Sequence, residues 1–325
     1  MLRYILIRML LLIPILICVC FIIFTLMDLV PGDIIDTLDT TGLSQDDILA
    51  LREYYGLDRP LLLRFFSYMG GLVQGDLGIS QSSARPIWGE FISRFPRTLE
   101  LAIIGLVLGV SIAIPLGILA AKYAGTILDN IITVFSLFGF SAPPFLLALL
   151  LMVFLSVDLK LLPAAYDGTW KCYVMPATTS ALIMAASIVR QTRSSVLEVK
   201  RQDYLRTARS KGVSELRVTT RHAMRNAWIP IITQIGLTLS RMLAGSAVIE
   251  SVYSWPGVGA MTVDAVARRD TTLATGCVML TAIMYVLLLL IVDLVYGFVD
   301  PRIKAQYAPV RRKRTPTRMK VRGAA

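Results

Sequence analysis

Little in this chain of 325 residues could carry bond-making chemistry. His222 is the sole histidine, and Cys18, Cys20, Cys172 and Cys277 are scattered with no ligand-like spacing. A His-based metal site and a disulfide framework therefore both lack material. No Gly-x-x-x-x-Gly-Lys-Ser/Thr phosphate loop occurs, which excludes ATP hydrolysis by that route. A Gly-x-Ser-x-Gly elbow is absent too, and Tyr166-Asp167 lacks the Gly-x-Gly-Asp half of an intramembrane aspartyl protease pair. Neither an enzyme nor a resident metal or cofactor is expected. What remains is charge and broken backbone inside apolar sequence. Arg241 lies in the middle of an apolar stretch, and Glu250 and Asp293 lie near or within others. Ionisable groups there are costly and face a cavity or each other; the simplest arrangement pairs Arg241 with Asp293 for packing. Glu250 precedes Trp255-Pro256-Gly257-Val258-Gly259, which reads either as part of a pathway or as a re-entrant turn shaping an outer gate. Pro143-Pro144, next to Ser141, must break or kink its run, and the 139–145 region is a candidate pore lining.

The elements that would position these residues are membrane spans. The chain is 55% apolar and only 17% charged, with a mean hydropathy of +0.66, which excludes a water-soluble protein. A bilayer core needs roughly 20 apolar residues per helix, and six stretches qualify, at about 9–30, 98–121, 131–157, 172–190, 227–250 and 272–299. The fourth is diluted by Thr178, Thr179 and Ser180, and Arg190 marks its end. The first carries Arg3 and Arg8 ahead of its apolar run but no small-residue cleavage site after it, so an uncleaved anchor is expected.

The formal charge of +11 is unevenly distributed. With the N terminus inside, cytoplasmic pieces hold 22 of the 33 Lys and Arg, ten of them between 190 and 226 and nine between 302 and 322. Both termini are predicted to be cytoplasmic. The divisions are an anchor over 1–30, an extracytoplasmic segment over 31–97, a core transmembrane domain over 98–299 and a basic tail over 300–325. The tail, with Arg311-Arg312-Lys313-Arg314, suits anionic lipid rather than nucleic acid. Within the external segment, Ser44 followed by Asp47 reads as a capped short helix ending near Gly56.

The loop at about 197–226 is the most informative stretch. Its composition favours a helix up to Lys211, with Gly212 at the stop and Ser214 capping a second helix to about Arg225. A compact basic element of this kind is either a solvated connection or a lever gripped by a cytoplasmic partner. Asp203-Tyr204, Arg206-Thr207-Ala208 and Lys211-Gly212, then Arg221-His222-Ala223 and Arg225-Asn226-Ala227, resemble the "EAA" loop of integral subunits of ATP-binding-cassette importers, in the dipeptide, oligopeptide and nickel permease branch. The likeness runs nearly end to end, through Pro31-Gly32-Asp33, Gly56-Leu57-Asp58-Arg59-Pro60, Gly75-Asp76-Leu77-Gly78-Ile79-Ser80, Thr98-Leu99-Glu100, Ser141-Ala142-Pro143-Pro144, Thr192-Arg193-Ser194-Ser195, Arg269-Asp270 and Asp300-Pro301-Arg302. Arg206-Thr207-Ala208 stands in place of a literal Glu-Ala-Ala, and Leu289 stands where relatives generally carry Asn.

The resemblance implies an all-α polytopic membrane protein with the type I importer permease fold, in the inner or plasma membrane of a bacterium or archaeon. It implies the first-listed permease of a pair, packed against a second homologous permease. One or two ATPase subunits, holding the ATP and magnesium, would dock at the loop, and an extracytoplasmic binding protein would deliver the cargo. Peptides are the cargo expected from the breadth of the family, with nickel or a metal chelate as the alternative. An ATP-independent channel or scaffold is the rival, and it would have no ATPase partner.

Overall fold

Apolar runs long enough to cross a bilayer become helices because every backbone N–H and C=O must be bonded within the segment. A computed structural model describes residues 2–29, 44–54 and 58–299. It is built of α1 (Leu2–Asp28), α2 (Gln45–Tyr54), α3 (Leu61–Gln74), α4 (Ile87–Lys122), α5 (Ile127–Ser141), α6 (Pro144–Met152), α7 (Val174–Lys200), α8 (Asp203–Ser210), α9 (Glu215–Arg217), α10 (Met224–Gly245), α11 (Ala247–Val252), α12 (Val258–Ala267) and α13 (Thr271–Val299). Pro31-Gly32-Asp33, Gly56 and the tail over 300–325 lie outside the described residues.

Among the described residues, four helices are long and apolar enough to span, at Met9–Asp28, Ile87–Lys122, Trp170–Lys200 and Thr271–Val292. The pair Ile127–Ser141 and Pro144–Asp158, bent by 102° at its break, makes a fifth if it is one broken span rather than a re-entrant loop. The break falls where Pro143-Pro144 places it: Pro143 is extended and Pro144 opens α6, so α5 stops at the residue whose continuation proline forbids. Two expected boundaries shift. Helix α4 starts at Ile87 rather than near residue 98 and runs for 36 residues. Helix α7 does not stop at Arg190 but continues to Lys200. The fifth expected span, at about 227–250, falls on α10 (Met224–Gly245) and part of α11, and neither is among the helices that qualify by length and composition.

The most extensive helix contact is between α4 and α7. A Cβ on Gly105 would stand 2.6 Å from the Cβ of Ser180, and one on Gly117 would stand 2.6 Å from that of Thr192. Backbones therefore touch at a distance only glycine permits, which is how helices associate where lipid removes the hydrophobic drive. Helices α5, α6, α10 and α11 lean on α7, and α1 and α12 lean on α13. Outside this bundle, α3 docks on α1 through Phe65 edge-on to Phe21 at 5.2 Å and through Arg64 paired with Asp28 at 2.6 Å. At the start of α2 the capping pattern forms: Asp47 N–H donates to the Ser44 hydroxyl at 3.2 Å, and Ser44 N–H donates to the Asp47 carboxylate at 3.0 Å.

One buried carboxylate joins two motifs that lie far apart in sequence. Asp270 accepts from Leu273 N–H at 3.0 Å, capping α13, and also from the hydroxyls of Ser80 at 2.7 Å and Ser82 at 2.9 Å and from Ser82 N–H at 2.9 Å. The loop between α3 and α4, pinched by an antiparallel bridge from Ile79 to Pro86, is thereby tied to the end of α13. Burial raises the Asp270 carboxyl, but the bonds from Ser82, Leu273 and Ser80 outweigh it and hold the group below its ordinary value. A depressed carboxyl stabilises the fold fully above its unfolded value and loses that contribution as pH falls through the folded value. Asp270→Ala should cost about 2–3 kcal/mol at neutral pH, and the gap to the unsubstituted protein should begin to narrow as pH falls below the ordinary value of 3.8, read as thermal stability in detergent against pH.

Candidate functional site

The chain's singular residues fall into two short helical turns at opposite ends of α10, and into the bend between α5 and α6. At the first turn, α7 ends at Lys200 and α8 begins at Asp203. Gly212, at φ +76°, reverses the chain. Its N–H donates to the Arg209 carbonyl at 2.9 Å, and Val213 N–H donates to that of Ala208 at 3.3 Å, the paired bonds of a Schellman stop. Val213 packs with buried Leu205, Val218 and Ala223, so the elbow has a small core of its own. Arg209 Nε donates to Glu215 across the turn at 2.6 Å, and Asn226 Nδ2 donates to the Tyr204 hydroxyl at 2.9 Å. Asp203, Tyr204, Arg206, Thr207, Lys211 and Gly212 are all exposed, while Ala208 is half-buried.

Nothing lies within 4 Å of a Cβ built on Gly212. Its requirement for glycine within the chain is therefore conformational, not steric. Ser214 departs from expectation: its side chain makes no capping bond. The second helix also does not end near Arg225; α9 passes through a wider helical turn at Val218–Ala223 straight into α10.

At the other end, α11 and α12 form a tight hairpin closed on Glu250. This carboxylate is fully buried and accepts from the Ser246 hydroxyl at 2.9 Å and from Ala260 N–H at 3.0 Å. It thus supplies the anion that the open N–H groups at the start of α12 attract. A Cβ on Gly257 would collide with the Glu250 carboxylate and stand 2.6 Å from Thr98 Oγ1. Thr98 Oγ1 accepts from Val258 N–H at 2.9 Å. Trp255 is buried, donates from Nε1 to the Arg97 carbonyl at 3.0 Å, and meets Tyr166 and Tyr173 edge-on at 5.0 and 4.7 Å. Pro256, next in the chain, is half-buried. Glu250, Trp255 and Gly257 are thus brought together as a sealed clasp on α4 at Arg97 and Thr98.

Ser141, Pro143 and Pro144 are exposed at the α5–α6 bend. Arg241 is exposed on α10, and the side chain of Asp293 lies outside the described residues.

An ion pair absent from the sequence reading lies near the elbow. Arg193 grips Asp129 with two bonds, Nε to Oδ1 at 2.6 Å and Nη2 to Oδ2 at 2.8 Å, and Gly125 N–H adds a third at 2.9 Å. The Asp129 side chain is only 2% exposed. Below it, Lys200 Nζ donates to the Ala121 carbonyl at 2.8 Å. The only sequence signal was an acidic residue at the head of an apolar run. Removing one member leaves a buried charge unpaired, so Arg193→Gln should destabilise by about 3–5 kcal/mol. Asp129→Asn combined with Arg193→Gln should recover part of that loss, as measured by a double-mutant cycle of thermal stability.

Comparison with known proteins agrees with this geometry. Residues 1–102 match the N-terminal part, and residues 113–305 the main part, of the binding-protein-dependent transport system inner membrane component family. The dipeptide transport system permease protein DppB of Escherichia coli K12 is 37% identical, over 94% of this chain and 99% of its own length. The glutathione transport system permease protein GsiC of Salmonella choleraesuis is 38% identical over the same shares. A solved chain of the inward-facing MetNI methionine ABC transporter superposes with a TM-score of 0.55 at 18% identity, covering 65% of this chain and 96% of that one. That likeness gives the fold. The chain belongs to the binding-protein-dependent transport inner membrane component family and is a multi-pass permease subunit of an ABC importer.

Proposed function

We propose that this permease forms the path by which peptides cross the membrane, driven by separate ATPase subunits that grip the elbow at Gly212. The observation that carries the reading is the elbow itself. It is braced internally, presents Asp203, Tyr204, Arg206, Thr207 and Lys211 outward, and continues without a break into α10. A mere connection would need neither its own core nor rigid continuity with a span. Peptide cargo is supported by the relatives named for dipeptide and glutathione transport, both peptides, and nickel or a metal chelate is not favoured. ATP and magnesium belong to the ATPases in this reading. A binding protein delivers cargo to the face carrying the α11–α12 clasp.

Helix α10, packed against α4, α7 and α13, is read as the sixth span. Both termini then lie on the cytoplasmic side with the elbow, as the distribution of Lys and Arg requires. The segment over 31–97 lies outside, and 300–325 lies against anionic lipid. A second, homologous permease covers the faces this chain leaves open. Glu250 serves in this scheme as a fixed anchor of the outer hairpin rather than as a lining of the path.

Tagging the C terminus, extracting the protein in mild detergent from its host and identifying what accompanies it tests the assembly. Recovery of one or two ATPases, a second permease and a binding protein is expected; repeated recovery with no ATPase would overturn it. Gly212→Arg should leave the protein in the membrane while lowering uptake at least about tenfold, because the side chain opposes φ +76° and obstructs a gripping surface. Gly212→Asn, which tolerates that conformation, should retain far more uptake. Normal transport by Gly212→Arg would sink the coupling role.

A further inference from the structure

Helix α7 is covered by its neighbours along most of its length, so the positions it leaves uncovered are informative. Ser187, Arg190, Gln191 and Ser194 are half-buried or exposed, and at that spacing they share one face of the helix. The neighbouring face of α10 supplies Gln234, which donates to Thr238 at 3.2 Å, and Thr238 in turn bonds to Ser187 at 3.3 Å. A polar stripe with a guanidinium inside a membrane span does not face lipid; it faces a water-filled path or another protein.

Arg190 differs from every other cation of that stretch. Three residues further on, Arg193 is consumed by Asp129. Among the described residues Arg190 has no carboxylate partner, and its buried Nε has no hydrogen-bond acceptor. Its guanidinium carbon stands 4.2 Å over the centre of the Phe140 ring, directly before the exposed bend at Ser141 and Pro143. The Phe140 ring covers one side of the guanidinium and Nε is buried, which leaves the two terminal NH2 groups as the donors that can meet a carboxylate.

We propose that Arg190, held against Phe140, contacts the cargo by receiving the carboxylate of a peptide as it passes the α5–α6 bend. The inference rests on the peptide reading above: each peptide with a free C terminus carries this group, whatever its side chains. One cation without a second donor cluster attracts the anion yet lets it leave, as a transport path requires.

The test uses the assembled complex in proteoliposomes with its binding protein, following uptake of alanyl-phenylalanine and of its C-terminal amide. Arg190→Gln should lower the ratio of acid to amide uptake by about tenfold, the factor that one charge-assisted hydrogen bond carries. Arg190→Lys should restore part of it. Any preference of the binding protein is common to all variants and cancels from the change in ratio. If the binding protein rejects the amide, the acid alone decides: a fall of about tenfold in Arg190→Gln with substantial rescue by Lys supports the proposal, whereas equal falls overturn it. An unchanged ratio, whether both rates drop or neither does, overturns it and assigns Arg190 to packing or to an acid of the second permease. A wild-type complex that imports neither form would remove the peptide reading itself, and the inference with it.

Discussion

Everything in this permease is referred to the close contact of α4 with α7. In lipid two helices gain little by hiding apolar side chains from each other, so what holds them is dispersion between backbones brought near by small residues. Gly105 and Gly117, with Ser180 and Thr192 opposite, make that approach over several turns. The pair then serves as a frame with a fitting at each end. At one end, the Arg97 carbonyl and the Thr98 hydroxyl hold Trp255 and Val258. At the other, the Ala121 carbonyl holds Lys200, just before the chain enters the elbow. A methyl group added at either glycine would be felt at both fittings.

The two hairpins hung on this frame solve opposite problems with similar parts. The α11–α12 turn spends its polar groups inward: a buried Glu250 answers the open N–H groups of α12, and Trp255 is walled by two tyrosines. The α8–α9 turn packs Leu205, Val218 and Ala223 inside and leaves Asp203, Arg206 and Lys211 at the surface. The first therefore keeps its charge buried, and the second leaves its charges exposed. Their motifs look equally distinctive in the sequence, and only burial separates them.

How much of this was legible follows from what each signal measures. Hydropathy locates spans because it reports composition, and α13 and the broken α5–α6 pair appear where apolar runs and Pro143-Pro144 placed them. It misplaces ends: Arg94 and Arg97 hide the first turns of α4, and Arg190 looks like a boundary although α7 continues to Lys200. Stops made by local chemistry, such as Gly212 and the Ser44–Asp47 cap, were readable because their partners are a few residues away. The grip of Arg193 on Asp129 and the capture of Ser80 and Ser82 by Asp270 were not, because their partners lie 64, 190 and 188 residues apart. Ser214 does occupy the N-cap position of α9 in an extended conformation, but its side chain makes no capping bond, a rotamer outcome that residue type and spacing do not decide.

That continuity has a mechanical meaning. From Glu215 through the wide turn at Val218–Ala223 to Gly245, the backbone stays helical, a rod of about 45 Å at the usual rise per residue. A rod of that length converts angle into distance, and a rotation of about 10° at the elbow end displaces the far end by about 8 Å. The far end leads into the residues before the Glu250 clasp. On the proposed coupling, a modest rocking of the elbow would reach the α11–α12 clasp enlarged, along a rod whose interior proline, Pro230, is the place where it can bend.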